Sequence, residues 1–244
     1  MQFVGVMKYK EKQMGNTVFI TGADRGIGLA LCKKFAESGW MVFAGQFMKE
    51  WKELDKAKGI FSEKLKIIEL DVTNQKSVQQ AVEKIKKETN SLDMLINCAG
   101  VIADDNREET LKSALDINSI APLRMTEALL PLMENGQKRL CFISSEVGSI
   151  TLSHYGYDYS YYCLTKSALN MSVKIMFNHL KQYGYTFRLY HPGYVKSYMN
   201  GYKNEKGEYE PEETAEVAYR QFTQNREAEN VFVMTDINGE LWPF

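Results

Sequence analysis

Seven short runs of apolar and β-branched residues alternate with stretches of helical periodicity along most of this 244-residue chain. Strands and helices that alternate in this way are typical of a parallel sheet with helices packed on both of its faces. We therefore predict an α/β fold with one doubly wound domain over residues 17–244, preceded by an N-terminal extension at residues 1–16. The predicted strands are residues 17–21, 40–44, 64–70, 93–96, 140–143, 185–190 and 231–234.

Composition argues against several classes of function. The formal net charge of −1 gives no electrostatic reason to expect a nucleic acid or an anionic membrane as a partner. The four cysteines are far apart in the sequence and the three histidines lack zinc-motif spacing, so we predict no metal site and no disulfide framework. Reduced thiols fit a cytoplasmic protein best. No apolar run approaches the roughly 18 residues of a membrane helix, and residues 1–16 show no signal-peptide pattern.

A glycine-rich turn follows the first predicted strand. It reads Gly22-Ala-Asp-Arg-Gly-Ile-Gly28 and leads into a helical pattern over residues 29–38. Such a turn brings backbone N–H groups at a helix N-terminus close to a phosphate, where the helix dipole also favours an anion. The alternative is a turn that binds nothing. Because this turn lies between a buried strand and a helix at the start of a βαβ pattern, we predict a nucleotide site.

Two residues bear on which dinucleotide this turn would bind. Gln46, after the second predicted strand, occupies the place where an acidic residue commonly binds the adenine ribose hydroxyls. An amide does not repel a 2′-phosphate as a carboxylate would. Arg25, within the glycine turn, is suited to pair with that phosphate, and a solvated turn residue is the alternative. The sequence therefore favours NADP, with NAD as the alternative.

Small or polar residues also follow the next two predicted strands. Asp71 and Val72 end the third strand, where an Asp can bind an adenine amino group or share a helix N-cap role with Asn74. The fourth strand ends in Asn97-Cys-Ala-Gly100, whose small side chains let a cofactor lie against the backbone. Further along, Asn118 interrupts a helical pattern, and an interior asparagine there predicts a local bend or a polar surface residue.

The stretch from residue 142 to residue 166 contains the residues best suited to acid–base chemistry. A strand ends at Ser144-Ser145, a tyrosine-rich irregular segment follows, and a helical pattern then contains Tyr162 and Lys166. Their four-residue spacing places the tyrosine and the lysine on one helix face. An ammonium beside a phenol lowers the tyrosine pKa from its reference of about 10, so that proton transfer near neutral pH becomes accessible. The alternative is an ordinary solvated pair.

Taken together, these motifs resemble those of the short-chain dehydrogenases/reductases, in their short single-domain form with a Rossmann-type sheet. The resemblance runs from about residue 17 to the end of the chain. Five family patterns have counterparts here in the family's order: T-G-x-x-x-G-x-G at residues 21–28, N-N-A-G at 97–100, S-S-x-x-G at 144–148, Y-x-x-x-K at 162–166 and P-G-x-V-x-T at 192–197.

The resemblance implies an oxidoreductase that moves a hydride between a nicotinamide cofactor and a small carbonyl or alcohol substrate. Tyr162 would exchange a proton with the substrate oxygen, and Lys166 would hold the nicotinamide ribose and lower the Tyr162 pKa. Ser145 would orient the carbonyl, and Asn118 would hold a water in a proton relay. Family members are often dimers or tetramers through the helices that carry Asn118 and Tyr162, so the resemblance implies a homodimer or homotetramer.

The resemblance also implies a set of cofactor-binding residues at the ends of the predicted strands and in the turns that follow them. They are Gly22, Asp24, Arg25, Gly26, Ile27, Gly28, Gln46, Asp71, Val72, Asn97, Ala99, Gly100, Tyr162, Lys166, Pro192, Gly193, Val195 and Ser197.

The chain departs from the family pattern most clearly between its serine and tyrosine motifs. Ser145 and Tyr162 are 17 positions apart, which is longer than the family pattern. Ser144 and Ser149 are therefore alternatives, and Ser145 is preferred because the S-S-x-x-G context places it at the strand end. Alternation along a strand puts Ser144 and Ser145 on opposite sides, so only one of them can face the substrate. The inserted loop is rich in tyrosine, and a substrate-lining role for Tyr155 and Tyr157 is one interpretation beside loop packing or a subunit contact.

A function of a different class stays open at this point. A redox sensor or signalling protein that binds the dinucleotide with little turnover would share the fold. The complete set of Asn, Ser, Tyr and Lys argues for the enzyme. A nucleotide-sugar epimerase or dehydratase is disfavoured, because only residues 198–210 separate the last motif from the next predicted helix.

Overall fold

The computed structural model describes residues 16–102, 107–199 and 201–244, so the predicted extension at residues 1–16 lies outside it except for Asn16. Eight strands of the described chain form one sheet in the order β3-β2-β1-β4-β5-β6-β7-β8. The strands are β1 Thr17–Ile20, β2 Met41–Gln46, β3 Leu65–Glu69, β4 Met94–Asn97, β5 Arg139–Ile143, β6 Thr186–Tyr190, β7 Met234–Thr235 and β8 Leu241–Trp242. All neighbouring pairs are parallel except β7 and β8. The predicted doubly wound fold is confirmed, with one antiparallel strand added at the edge.

Helices cover both faces of this sheet. They are α1 Gly26–Glu37, α2 Glu53–Ile60, α3 Gln75–Lys86, α4 Glu108–Leu115, α5 Ala121–Met133, α6 Ser160–Leu180 and α7 Pro211–Thr223. One apolar core lies between the sheet and α3, α5 and α6, and a second lies between the sheet and α1, α2 and α7. In β1, Phe19 belongs to the first core, while Val18 and Ile20 belong to the second. Each of these three side chains is fully buried, as expected for a central parallel strand.

Two predicted elements differ from the observed ones. The polar pattern of residues 47–59 predicts a helix after the second strand. The observed helix begins only at Glu53, because the backbone N–H groups of Phe47 and Met48 donate to the Asp24 carboxylate instead of entering a helix. The last predicted strand, residues 231–234, is found as Met234–Thr235, and Val231 is 56% exposed.

A buried ion pair fixes the chain beyond α7 against the sheet. Arg188 of β6 is fully buried and donates two hydrogen bonds to the Glu229 carboxylate, at 2.7 and 2.8 Å. The same guanidinium donates to the carbonyl oxygens of Gln221 and Gln224 at 3.1 and 2.9 Å. Because Arg188 is fully buried while the Glu229 side chain is 26% exposed, removing the glutamate would leave the buried guanidinium charge uncompensated. This anchor holds the segment that leads into β7 and hence the edge of the sheet beside the site.

Candidate active site

The carboxyl ends of the central strands bring the predicted motifs to one edge of the sheet. β1 has β2 on one side and β4 on the other, which makes the gap between β1 and β4 the switch point where such folds bind ligands. At the end of β1, the Thr21 hydroxyl accepts hydrogen bonds from the backbone N–H groups of Cys98 and Ala99, at 3.0 and 3.1 Å. The glycine turn and the segment after β4 are therefore fixed against each other.

The glycine turn needs residues without a side chain for steric reasons. Gly22 has a φ of +65°, and a Cβ there would lie 2.6 Å from the Ala99 Cα. A Cβ on Gly28 would lie 2.1 Å from the Gly22 carbonyl oxygen. Gly26, the first residue of α1, faces open space instead, and Ile27 packs against the core. Because the first N–H groups of a helix have no intrahelical partner, this open space beside α1 suits an anionic group.

Two buried amides at the same edge have an unpaired nitrogen in the described part of the chain. Gln46 is 7% exposed and Asn97 is 5% exposed, and their side-chain nitrogens Nε2 and Nδ2 have no hydrogen-bond partner there. A buried donor without a partner costs about 1–3 kcal/mol. The hydroxyl and phosphate oxygens of a nicotinamide dinucleotide are acceptors for such groups, so the residues present fit that cofactor.

The two predicted carboxylates, Asp24 and Asp71, both hold backbone in this structure. Asp24 accepts from the N–H groups of Phe47 and Met48 at 3.0 Å each, and burial raises its pKa. Asp71 accepts from the Thr73 hydroxyl at 2.7 Å, while Asn74 alone caps α3. Next to it, the Val72 carbonyl accepts from Arg124 at 2.7 Å. These bonds shape the loops after β2 and β3, and contacts of Asp24 and Asp71 with a cofactor stay predictions.

Arg25 lies beside a cavity of about 280 Å³ at the mouth of the glycine turn. Its Nε donates to the Tyr198 carbonyl at 3.2 Å, and its guanidinium lies 4.8 Å from the centre of the Trp51 ring. The rings of Trp51 and Tyr198 meet edge to face at 5.2 Å. Lys33 also lines the cavity, together with carboxylates that include Glu53. Sequence reasoning singled out Arg25 and missed Trp51, which carries no local motif.

The three candidate serines have different partners. The Ser144 hydroxyl donates to the Asn170 Oδ1 at 2.6 Å, and the Ser149 hydroxyl accepts from the Leu152 N–H at 3.1 Å. The Ser145 hydroxyl accepts from the Val147 N–H at 3.4 Å, and it lies beside the Tyr162 phenol, where hydrogen bonding to the phenolate would lower the Tyr162 pKa. Of the three serines, Ser145 is therefore the one placed beside Tyr162.

The electrostatics of Tyr162 and Lys166 differ from the prediction. We expected the lysine to lower the Tyr162 pKa, and this was wrong for the structure: burial raises it to about 12, although the Ser145 hydrogen bond acts in the opposite direction. The Lys166 Nζ lies 5.9 Å from the Tyr162 ring centre and donates to the Ile143 carbonyl at 3.1 Å. Burial also lowers the Lys166 pKa to about 8. Desolvation is the largest cause of both shifts, and it opposes the charged form of each group.

Asn118 lies at the predicted bend. It is buried within a π-helical segment, Asp116–Ile120, between α4 and α5. Its amide exchanges two hydrogen bonds of 2.9 Å with the Val101 backbone and donates to the Thr165 hydroxyl at 3.0 Å. A Cβ on Gly100 would lie 3.3 Å from the Asn118 Oδ1 and 3.9 Å from the Lys166 Nζ. Asn118 therefore ties the strand-end loop to α6, and its water relay stays a prediction.

The segment from Pro192 to Ser197 closes the site on the β6 side. The Pro192 carbonyl accepts from the Thr214 hydroxyl of α7 at 2.9 Å, and Gly193 has a φ of +76°. Val195 forms a parallel bridge with Tyr209, and the Ser197 carbonyl accepts from the Asn204 N–H at 2.9 Å. The described residues after Ser197 thus fold back over this segment as a short lid.

The loop that the sequence left without a role packs onto a residue that we did not single out. The Glu146 carboxylate, one position after Ser145, accepts from the Tyr155 hydroxyl at 2.6 Å. Tyr155 stacks on His154 at 4.4 Å and packs against Tyr159 at 5.3 Å. The signal that could have identified Glu146 was its position directly after the serine motif.

Across residues 16–102, 107–199 and 201–244, no three His, Cys, Asp or Glu side chains cluster as a metal site would require. In the same residues, no helix combines the length and the apolar character needed to cross a bilayer.

Comparison with known proteins agrees with this geometry. Residues 16–208 match the sequence model of the short chain dehydrogenase family. The chain is 31% identical to an uncharacterized oxidoreductase of Schizosaccharomyces pombe over 75% of this chain and 74% of that protein. It is 34% identical to mouse mitochondrial D-beta-hydroxybutyrate dehydrogenase over 62% of this chain, but the match spans about half of that protein, 46%. The fold superposes on NADPH-bound carbonyl reductase from chicken fatty liver with a TM-score of 0.81, covering 95% of this chain and 100% of that one at 24% identity. The chain belongs to the short-chain dehydrogenase/reductase family of oxidoreductases.

Proposed function

We propose that this protein is an NADP-dependent oxidoreductase that reduces a small carbonyl compound to an alcohol, with Tyr162 as the acid. The observation that carries the proposal is the placement of Lys166, whose Nζ lies 5.9 Å from the Tyr162 ring centre on the same helix face, with the Ser145 hydroxyl beside the Tyr162 phenol. This group lies at the strand edge that also carries the open glycine turn. Proton donor and dinucleotide site are therefore neighbours, as hydride transfer to a carbonyl requires.

When bound, the nicotinamide cofactor supplies the hydride. Ser145 donates its hydroxyl hydrogen to the substrate oxygen and orients the carbonyl. Tyr162 holds its proton at neutral pH, because its pKa is raised to about 12, and it releases that proton to the same oxygen as negative charge develops there. Lys166 is mostly an ammonium at pH 7, one unit below its pKa of about 8, and this charge stabilises the phenolate that remains. Gly22, Gly26 and Gly28 would let the phosphates approach the N-terminus of α1.

The preference for NADP rests on Arg25 and Gln46. Arg25 reaches across the mouth of the glycine turn beside an open cavity, where a 2′-phosphate would meet its guanidinium. Gln46 supplies a neutral amide donor at the end of β2, a position where a carboxylate would repel the 2′-phosphate. A carbonyl substrate is supported by the similarity to a solved carbonyl reductase and to a hydroxy-acid dehydrogenase, although the latter match covers only part of that protein.

The test is oxidation of NADPH by the purified protein with a panel of aldehydes and ketones. We expect Tyr162→Phe to lower kcat/KM about 100- to 10,000-fold, the range that a positioned general acid contributes. Tyr183→Phe is the matched control, since that side chain is 55% exposed and follows the C-terminal end of α6. Equal activity in Tyr162→Phe and the parent would refute the mechanism. Tight NADPH binding without turnover of any substrate would favour a sensor instead.

We further propose that the protein assembles as a homodimer or homotetramer through α6. Leu164, Met171 and Ile175 lie on one face of this helix and are 46%, 62% and 59% exposed, and Ile120 beside them is 48% exposed. Apolar side chains grouped in this way are typical of subunit contacts. Light scattering tests this proposal: we expect the parent mass to be a multiple of 28.0 kDa and Met171→Glu to lower it. The cytoplasmic location stays a prediction.

A further inference from the structure

Glu146 occupies the position directly after Ser145, in a short 3₁₀ turn, Glu146–Gly148, at the end of β5. Its charge reaches the reacting phenol: after burial, the neighbouring charges that raise the Tyr162 pKa include Glu146. The side chain is 30% exposed, so its carboxylate is accessible to solvent while it directly follows Ser145 in the chain. A carbonyl compound seated on Ser145 and Tyr162 therefore places its substituents near a negative charge.

This carboxylate is held in a fixed position. Its Oε1 accepts from the Tyr155 hydroxyl at 2.6 Å, and its Oε2 lies 3.9 Å from the His191 Nε2. The backbone N–H of Glu146 donates to the His191 Nδ1 at 3.2 Å. A fixed charge repels more strongly than a mobile one, because it cannot turn away from a bound anion.

The neighbours of Glu146 do not cancel its charge. His191 accepts a hydrogen bond at Nδ1, which only the neutral ring can do, and burial lowers its pKa. The nearest site lysine, Lys166, directs its Nζ to the Ile143 carbonyl. The ion pairs among the described residues give Glu146 no lysine or arginine partner. Glu146, directly after Ser145, therefore keeps a negative charge that no neighbouring cation pairs with among the described residues.

We propose that Glu146 determines substrate charge: the site prefers neutral or cationic carbonyl compounds and disfavours those with an anionic substituent near the carbonyl. The inference rests on the proposed function, since only a carbonyl bound at Ser145 and Tyr162 brings substituents to this carboxylate. A like charge at about 8 Å and an effective dielectric constant of about 30 lowers binding about tenfold. The tyrosine-rich loop contributes by holding Glu146 through Tyr155.

The test uses three aldehydes of similar shape: para-nitro-, para-carboxy- and para-trimethylammoniobenzaldehyde. Glu146→Gln removes the charge and keeps an acceptor for Tyr155. Glu134→Gln, after the C-terminus of α5 at the opposite edge of the sheet, removes the same charge from an exposed position. The kcat/KM of each charged aldehyde is divided by that of the nitro compound, so that effects common to all substrates cancel.

We expect the carboxy-to-nitro ratio to rise about tenfold in Glu146→Gln and the trimethylammonio-to-nitro ratio to fall. Both ratios should match the parent in Glu134→Gln. In the parent itself, raising the ionic strength should bring both ratios closer together, because salt screens an accessible charge. This last measurement needs no substitution and decides the matter if Glu146→Gln fails to fold.

One outcome would overturn substrate-charge selection by Glu146 and leave the proposed function intact: neither Glu146→Gln nor salt changes the two ratios, while the nitro aldehyde is still turned over in a Tyr162-dependent way. Absence of NADPH-dependent turnover for all three aldehydes and for the wider panel would overturn both proposals. The two failures are therefore distinguishable.

Discussion

Arg25→Ala should convert a preference for NADPH into near indifference between NADPH and NADH. The guanidinium lies at the mouth of the glycine turn, held by the Tyr198 carbonyl at 3.2 Å and by the Trp51 ring at 4.8 Å. A hydrogen bond to a charged group contributes about 1.5–3 kcal/mol. We expect a value of about 2 kcal/mol here, because the cavity is open and salt screens part of the attraction. That energy corresponds to a roughly 30-fold rise in the Kd for NADPH.

NADH lacks the 2′-phosphate, so its Kd should change far less. In Arg25→Ala, NADH binding loses only the ordering of Trp51 and Tyr198 by the arginine. An exposed cation–π contact contributes about 0.5–1 kcal/mol, so the Kd for NADH should rise at most about fivefold. Fluorescence titration of both cofactors measures the two constants. Arg25→Lys keeps the charge without the planar fork and should lie between the parent and Arg25→Ala. Equal losses for NADPH and NADH in Arg25→Ala would refute the assignment of the phosphate to Arg25.

Three other predictions follow from the site. Gly22→Ala should lower the free energy of unfolding by about 3 kcal/mol or more, measured by chemical denaturation, because the added Cβ would lie 2.6 Å from the Ala99 backbone. Gly26→Ala is the control: the space around Gly26 is open, so this change should cost only about 1–2 kcal/mol of backbone strain. Ser145→Ala should lower kcat for carbonyl reduction about 100-fold. Ser144→Ala should instead lower mainly the melting temperature, because it leaves the buried Asn170 Oδ1 without its hydrogen-bond donor. Similar kcat values in the two variants would contradict this division of roles. The protein should take up protons when it binds NADPH between about pH 8 and pH 10. Burial holds the Lys166 pKa at about 8, below its ordinary 10.5, and an anionic ligand favours the ammonium form. Calorimetry in buffers of different ionisation enthalpy measures this uptake, and Lys166→Met should abolish it.

The central strands could be predicted from sequence because they are buried on both faces. β1 is an uninterrupted run of buried residues, and the prediction of residues 17–21 ends one residue beyond the observed Ile20. The helical pattern of residues 160–182 likewise predicts α6, which begins at Ser160, and the bend expected at Asn118 is the π-helical segment 116–120. Where burial alone selects the residue types, the pattern of apolar residues suffices to locate an element.

The edge of the sheet could not be predicted in the same way. β7 and β8 have two residues each, too few for any periodicity, and their pairing depends on the chain that Glu229 anchors through Arg188. The late start of α2 depends on the Asp24 carboxylate, which lies 23 positions before Phe47. Contacts of this kind decide the structure only after the chain has folded, so a local pattern carries no trace of them.

Within the site, motif spacing located the residues but not their electrostatics. The four-residue spacing put Tyr162 and Lys166 on one helix face, yet the sign of the Tyr162 shift depends on how deeply α6 is buried against β5. Arg25 meets Tyr198 across 173 positions, and nothing local to either residue indicates that contact. Chemistry that depends on residue type could be predicted from the sequence, whereas chemistry that depends on dielectric and distance required the fold.

Burial of both reacting groups has a consequence for the direction of the reaction. Desolvation raises the Tyr162 pKa and lowers the Lys166 pKa, so the site keeps the proton on the phenol and weakens, without abolishing, the positive charge on the amine at neutral pH. Reduction needs a protonated tyrosine and gains from an ammonium that stabilises the phenolate left behind. Oxidation must begin from that phenolate, which burial and the negative charge of Glu146 both oppose. Under the proposed mechanism, the same carboxylate that we propose to reject anionic substrates would also disfavour the tyrosinate from which alcohol oxidation starts near neutral pH.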